Sequence, residues 1–203
     1  MKIVPQARPF GEVPSLVERN ACGTTIPSIT EAGLGLIQRR KRFSSMKTLL
    51  IGLGNPILGD DGVGWRVVED VQKRLPADSD VVIHYLSLGG ISLMEHMIGY
   101  HRVILADAFI SEDNIGSVFL YKLDEIPNYS AFHVSNAHDM TLQSALELGR
   151  WMGAILPSEV MVVGIATCRI VDFCDELSPI VADAIPQATQ IVLGLLKQTE
   201  ITY

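Results

Sequence analysis

Cysteine is scarce in this 203-residue chain. There are three, Cys22, Cys168 and Cys174, an odd number with no Cys-x-x-Cys spacing. That pattern speaks against a disulfide framework or a zinc ribbon and for a reducing compartment, so a cytoplasmic setting is expected. Aromatic residues make up only 6% of the chain and charged residues 19%, against 48% hydrophobic, a balance unlike disordered or collagenous chains. Long apolar runs are missing too. None reaches about 18 residues without a charge or a turn residue, so no membrane partner is expected. Positive charge is short once the first 45 residues are set aside. They hold seven Lys/Arg against three Glu, +4 within a chain of −7, which leaves −11 on residues 46–203. Nucleic-acid binding draws on Lys and Arg contacts to phosphate, so no nucleic-acid partner is expected.

The composition therefore divides the chain near Met46. Residues 1–45 are basic, hold Pro, Thr and Ser, and show no clear periodicity. They are expected to be a disordered leader or a translated upstream segment in front of a working domain at 46–203. Arg39-Arg40-Lys41-Arg42-Phe43 has the look of a twin-arginine signal. The apolar stretch behind it, however, is broken by Gly52, Gly54 and Pro56 and stopped by Asp60-Asp61, which an export segment would not tolerate. Glu12, Glu18 and Glu31 and the lack of an amphipathic stripe weigh against a transit peptide.

Beyond Met46 the pattern alternates. Lys47–Gly52, Asp80–Leu86, Arg102–Ala106 and Glu159–Ile165 are short, nearly continuous apolar runs of the kind buried on both faces of a sheet. Ser117–Leu123 alternates and fits an outer strand. Helical spacing marks Val63 to about Leu75, Ile91–Met97, His138–Ile155, and a terminal helix from Ser178 to about Leu196, with Ser178 at N-cap and Pro179 at N1. The order predicts a three-layer α/β/α domain around a mainly parallel, twisted sheet of about five strands, of the phosphorylase/hydrolase-like kind. Right-handed crossovers make the first and third strands neighbours and place the second outside the first. Function is then expected in the crevice beyond the carboxyl ends of the first and third strands.

The first such loop is GLGNPILGDDGVG, Gly52–Gly64. It is not a dinucleotide fingerprint, because Ile57 stands where the third glycine belongs. Nor is it a P-loop, because Asp60-Asp61 replaces the Lys-Ser/Thr pair and repels phosphate. Asp60 and Asp61 could both be caps of the following helix. The more economical reading makes one a cap and turns the other to the crevice. Asp107 is expected to end the third strand and face the same crevice, where neighbouring carboxylates require a proton, a cation or a metal. His138, at an expected helix start, could complete an O,O,N donor set suited to zinc, nickel or cadmium.

Together Gly52–Gly64, Leu105-Ala106-Asp107-Ala108, His138 and Glu176-Leu177-Ser178-Pro179 give this chain a sequence that resembles the NiFe-hydrogenase maturation endopeptidases. These are hydrolases that trim the C-terminal tail of the hydrogenase large-subunit precursor. The resemblance runs from Met46 nearly to the end of the chain. It implies that Asp61, Asp107 and His138 bind a metal ion, nickel already inserted in the precursor, and that zinc or cadmium can occupy the same donors. It also implies that Asp61 and Asp107 share the catalytic role through carboxylate or metal-activated water. Many members have Glu where Asp61 stands, and a third small residue where Ile91 follows Gly89-Gly90. The expected protein is a monomer. Two rivals stand beside it: a peptidyl-tRNA hydrolase, which shares the Gly-Leu-Gly-Asn-Pro turn but needs a basic face, and a non-catalytic nickel-binding chaperone.

Overall fold

The computed structural model describes residues 47–111, 113–126, 140–168 and 173–198, all of them within the unit 43–203. The expected leader, 1–45, lies outside the described residues.

Among the described residues five strands form one sheet: β1 (Thr48–Leu53), β2 (Val82–Leu86), β3 (Arg102–Ile110), β4 (Val118–Lys122) and β5 (Glu159–Thr167). Their order is β2-β1-β3-β5-β4. All pairings are parallel except β4 with β5, which is antiparallel and leaves β4 on an edge. The helices are α1 (Val63–Arg74), α2 (Gly90–His96), α3 (Leu142–Trp151), α4 (Pro179–Ala182) and α5 (Ile185–Gln198), with single 3-10 turns at Gly59–Gly62 and Leu123–Glu125.

Side-chain alternation along the strands explains the layers. Leu50 of β1 and Ile104, Ala106 and Ala108 of β3 pack with Val63, Val67 and Val71 of α1 and Ala188 and Val192 of α5. Leu49, Ile51 and Leu53, with Val103 and Leu105, pack on the other face with Leu93 of α2 and Leu142 and Leu146 of α3. The central strands are therefore buried along nearly their whole length, as their largely apolar sequences require. Pro179–Gln198 is long and apolar enough to cross a membrane by length and composition. Its Val181, Ala188, Val192 and Leu195 lie in the core instead.

Three boundaries differ from the sequence pattern. Strand β3 does not stop at Asp107. Its ladder with β5 continues through Asp107↔Gly164 to Ile110↔Thr167, and the backbone pairing carries the strand past the polar side chain. Helix α3 begins at Leu142 and not at His138, because Thr141 is its N-cap, with Oγ1 accepting the Ser144 N–H at 3.2 Å. The terminal helix is split. Pro186 has no N–H for the Ala182 carbonyl, and its ring crowds that position, so α4 ends at Ala182 and α5 starts anew at Ile185.

Candidate active site

At the carboxyl edge of the sheet, β1 runs out through Gly54 into the Gly59–Gly62 turn and so into α1. Gly54 has φ +119°, which glycine adopts without the steric cost a Cβ brings. A Cβ on it would lie 1.8 Å from the Asp61 carbonyl oxygen. The chain thus doubles back against its own strand end, and only a hydrogen side chain lets it. Gly64 makes the second close approach, since a Cβ there would meet the carbonyls of Leu53 and Ala106 at 2.3 Å each. That contact seats the start of α1 over the junction of β1 and β3.

The two aspartates of this turn have different jobs, and neither caps α1, whose N-cap is Gly62 with no side-chain bond. Asp60 is 2% exposed. Its Oδ1 accepts the Ser178 N–H at 2.6 Å, and its Oδ2 accepts the hydroxyls of Ser178 and Thr167 at 2.8 Å each. It is a clamp joining the turn to the end of β5 and the start of α4. Ser178 is the N-cap of α4 by position but makes no side-chain cap bond, since its hydroxyl serves Asp60. Nothing in the spacing singles out Thr167. Ser178 was legible as a helix start, which hid its second role.

Asp61 is buried as well. Its Oδ2 accepts the Asn55 N–H at 2.6 Å, while Asn55 Oδ1 accepts the Ile57 N–H at 3.2 Å. An Asx turn at Asn55-Pro56 therefore aims a backbone donor at the Asp61 carboxylate. The Gly54 carbonyl is fixed in turn by the Ser87 hydroxyl at 2.7 Å, and the Gly54 N–H by the Leu86 carbonyl at 3.1 Å.

Asp107 is buried in β3, one residue beyond Ala106, which pairs with Gly52 of β1. Alternation puts it on the same sheet face as Val103 and Leu105, the side covered by α2 and α3. The structure thus brings Asp61 and Asp107 to the carboxyl edge of two adjacent parallel strands. His138 lies outside the described residues. Met140, two positions later, has its carbonyl where a Cβ on Gly90 would lie at 2.7 Å, at the start of α2. Among the described residues no group of three or more His, Cys, Asp or Glu side chains could hold a metal ion. The Asp61 and Asp107 carboxylates carry oxygens of the type that hard cations accept.

The fold and this edge define a class: a three-layer α/β domain with buried carboxylates at its topological switch point. The HycI family model, described as hydrogenase maturation protease, matches residues 65–195, and the chain belongs to that family. It is similar to the hydrogenase 2 maturation protease of Escherichia coli K12, 27% identical over 77% of this chain and 94% of that one. Among solved structures it resembles the hydrogenase maturating endopeptidase HybD from E. coli, with TM-score 0.61 and 25% identity over 76% of this chain and 94% of the other. It also resembles a hydrogenase 2 maturation peptidase from a Thaumarchaeota archaeon, with TM-score 0.53 and 26% identity over 74% and 97%.

Proposed function

We propose that this protein is an endopeptidase that removes the C-terminal extension of a NiFe-hydrogenase large-subunit precursor after nickel has been inserted. Family membership supports a protease acting in hydrogenase maturation. The observation that carries the finer reading is the placement of Asp61 and Asp107, two buried carboxylates at the carboxyl edge of β1 and β3. The nickel belongs to the substrate. Asp61, Asp107 and His138 are its docking donors, an O,O,N set that also accepts zinc or cadmium.

Asp61 enters the reaction already oriented, because the Asn55 N–H fixes one carboxylate oxygen. A carboxylate held in this way can take the proton from a water attacking the scissile carbonyl, which is aspartic-type rather than covalent chemistry. Docking on the substrate's nickel brings the tail to that water, so an unloaded precursor is left uncut. The protein acts in the cytoplasm, as a monomer, on the large-subunit precursor. The free, exposed thiols of Cys168 and Cys174 support a reducing setting.

The test is to incubate the protein with nickel-loaded and nickel-free precursor and to weigh the large subunit by mass spectrometry. Loss of the tail only from the loaded form is expected. Binding without trimming would replace the protease with a nickel-binding chaperone, and trimming of both forms alike would remove nickel as the signal.

A further inference from the structure

The strand end that carries the Asp61 turn has a companion segment. The Cys174 N–H donates to the Ile57 carbonyl at 3.1 Å and the Gly59 N–H to the Cys174 carbonyl, making a parallel bridge Leu58↔Cys174. Ile57 and Phe173 each stand one residue before this isolated bridge in their own segments. Both are bare: Ile57 is 56% exposed and Phe173 88%. The clamp of Asp60 on Ser178 ties the far end of this segment to the same turn. Two large apolar side chains are therefore exposed to water, each one residue from the bridge that ties this segment to the Asp61 turn. An exposed aromatic side chain is a common interface anchor, because it buries a large apolar area at the cost of only two side-chain torsions.

We infer that Phe173 and Ile57 form the docking platform for the precursor, seating an apolar, non-acidic stretch of its chain beside the scissile tail. The inference rests on the protease reading above. Two features select this occupant over others. The platform is continuous with the Asp61 turn, so whatever covers it is delivered to the carboxylates. Asp175 and Glu176, both exposed, follow Cys174 and repel an acidic segment. A cavity of about 190 Å³ opens next to them, lined by Gly59, Cys174, Glu176, Leu177 and Pro179, and gives the docked segment a recess for one side chain. Phe173 and Ile57 act as specificity determinants and take no part in bond cleavage.

The experiment compares Phe173→Ala, Phe173→Asp and, as a control, Trp151→Ala on nickel-loaded precursor. Trp151 is as bare as Phe173, 85% exposed, but it ends α3, on another element. All three variants are expected to melt with the wild type, since no buried contact is removed. Phe173→Ala should raise KM about tenfold with kcat unchanged, and Phe173→Asp should raise it further. Trp151→Ala should leave both constants as they are. Binding is read separately, by calorimetry of the wild-type and Phe173→Ala chains with nickel-free precursor, which is left uncut, and the same loss of affinity is expected. Unchanged KM and affinity in Phe173→Ala, or an equal loss in Trp151→Ala, would overturn the docking platform. Absence of trimming by the wild type would instead overturn the protease reading, and the binding comparison would still decide the platform.

Discussion

Asp60 and Ser178 are 118 residues apart in the chain, yet the Asp60 carboxylate accepts both the backbone N–H of Ser178 at 2.6 Å and its hydroxyl at 2.8 Å. With Thr167 as third donor, one side chain joins the first loop to the last strand and the last helical segment. Truncation to Ala leaves these buried donors without a partner. Asp60→Ala should therefore cost about 3 kcal/mol of stability, read as the shift of a urea or thermal transition. Asp60→Asn should cost less, because its Oδ1 still accepts from Ser178 and the two hydroxyls can turn to accept from its amide.

Asp61 separates structure from chemistry by a single atom. Asp61→Asn keeps an oxygen for the Asn55 N–H while removing the charge that ligation and proton transfer need. The variant should melt near the wild type and trim nickel-loaded precursor at least about 100-fold more slowly. Asp107→Asn should do the same. A rate within a few-fold of wild type in either variant would take that residue out of the reaction.

Gly54 and Gly99 form an internal comparison. Both have positive φ, +119° and +85°, but a Cβ on Gly99 would meet nothing within 4 Å, whereas on Gly54 it would strike the Asp61 carbonyl. Gly99→Ala should cost only the backbone strain, about 1 kcal/mol. Gly54→Ala must push the Asp61 turn away from β1, and it should lose activity as well as considerably more stability in the same denaturation assay.

The layers were legible because the central strands are buried on both faces and read as unbroken apolar runs, and because crossover handedness leaves few strand orders. Asp61 and Asp107 were legible because each follows or ends such a run in a glycine-dense or small-residue setting. The capping explanation for the aspartates failed for a reason sequence distance conceals. The partners of Asp60, Thr167 and Ser178, lie more than a hundred residues away, and no local spacing encodes a clamp of that span. The early stop assigned to β3 failed similarly, since Asp107 is carried within the strand by its ladder to Gly164. The break in the terminal helix went unread because Pro186 lies about two turns inside an otherwise apolar helical pattern that starts at Ser178.

His84 supplies the pH dependence. It lies on β2 with its ring 5.5 Å from that of His96 at the end of α2. Burial first, and then the neighbouring His96, push its pKa below the ordinary value of 6.5. A histidine depressed in this way stays neutral in the fold while the unfolded chain takes up a proton. Its contribution to stability is therefore complete above pH 6.5 and is lost progressively as pH falls from there through the lowered folded value. Urea midpoints measured between pH 7.5 and 5 should decline on the acid side, and His84→Gln should make that decline shallower. His96→Gln should also make it shallower but by less, because burial, the larger cause, remains. An identical acid-side slope in wild type and His84→Gln would assign the titration to other groups.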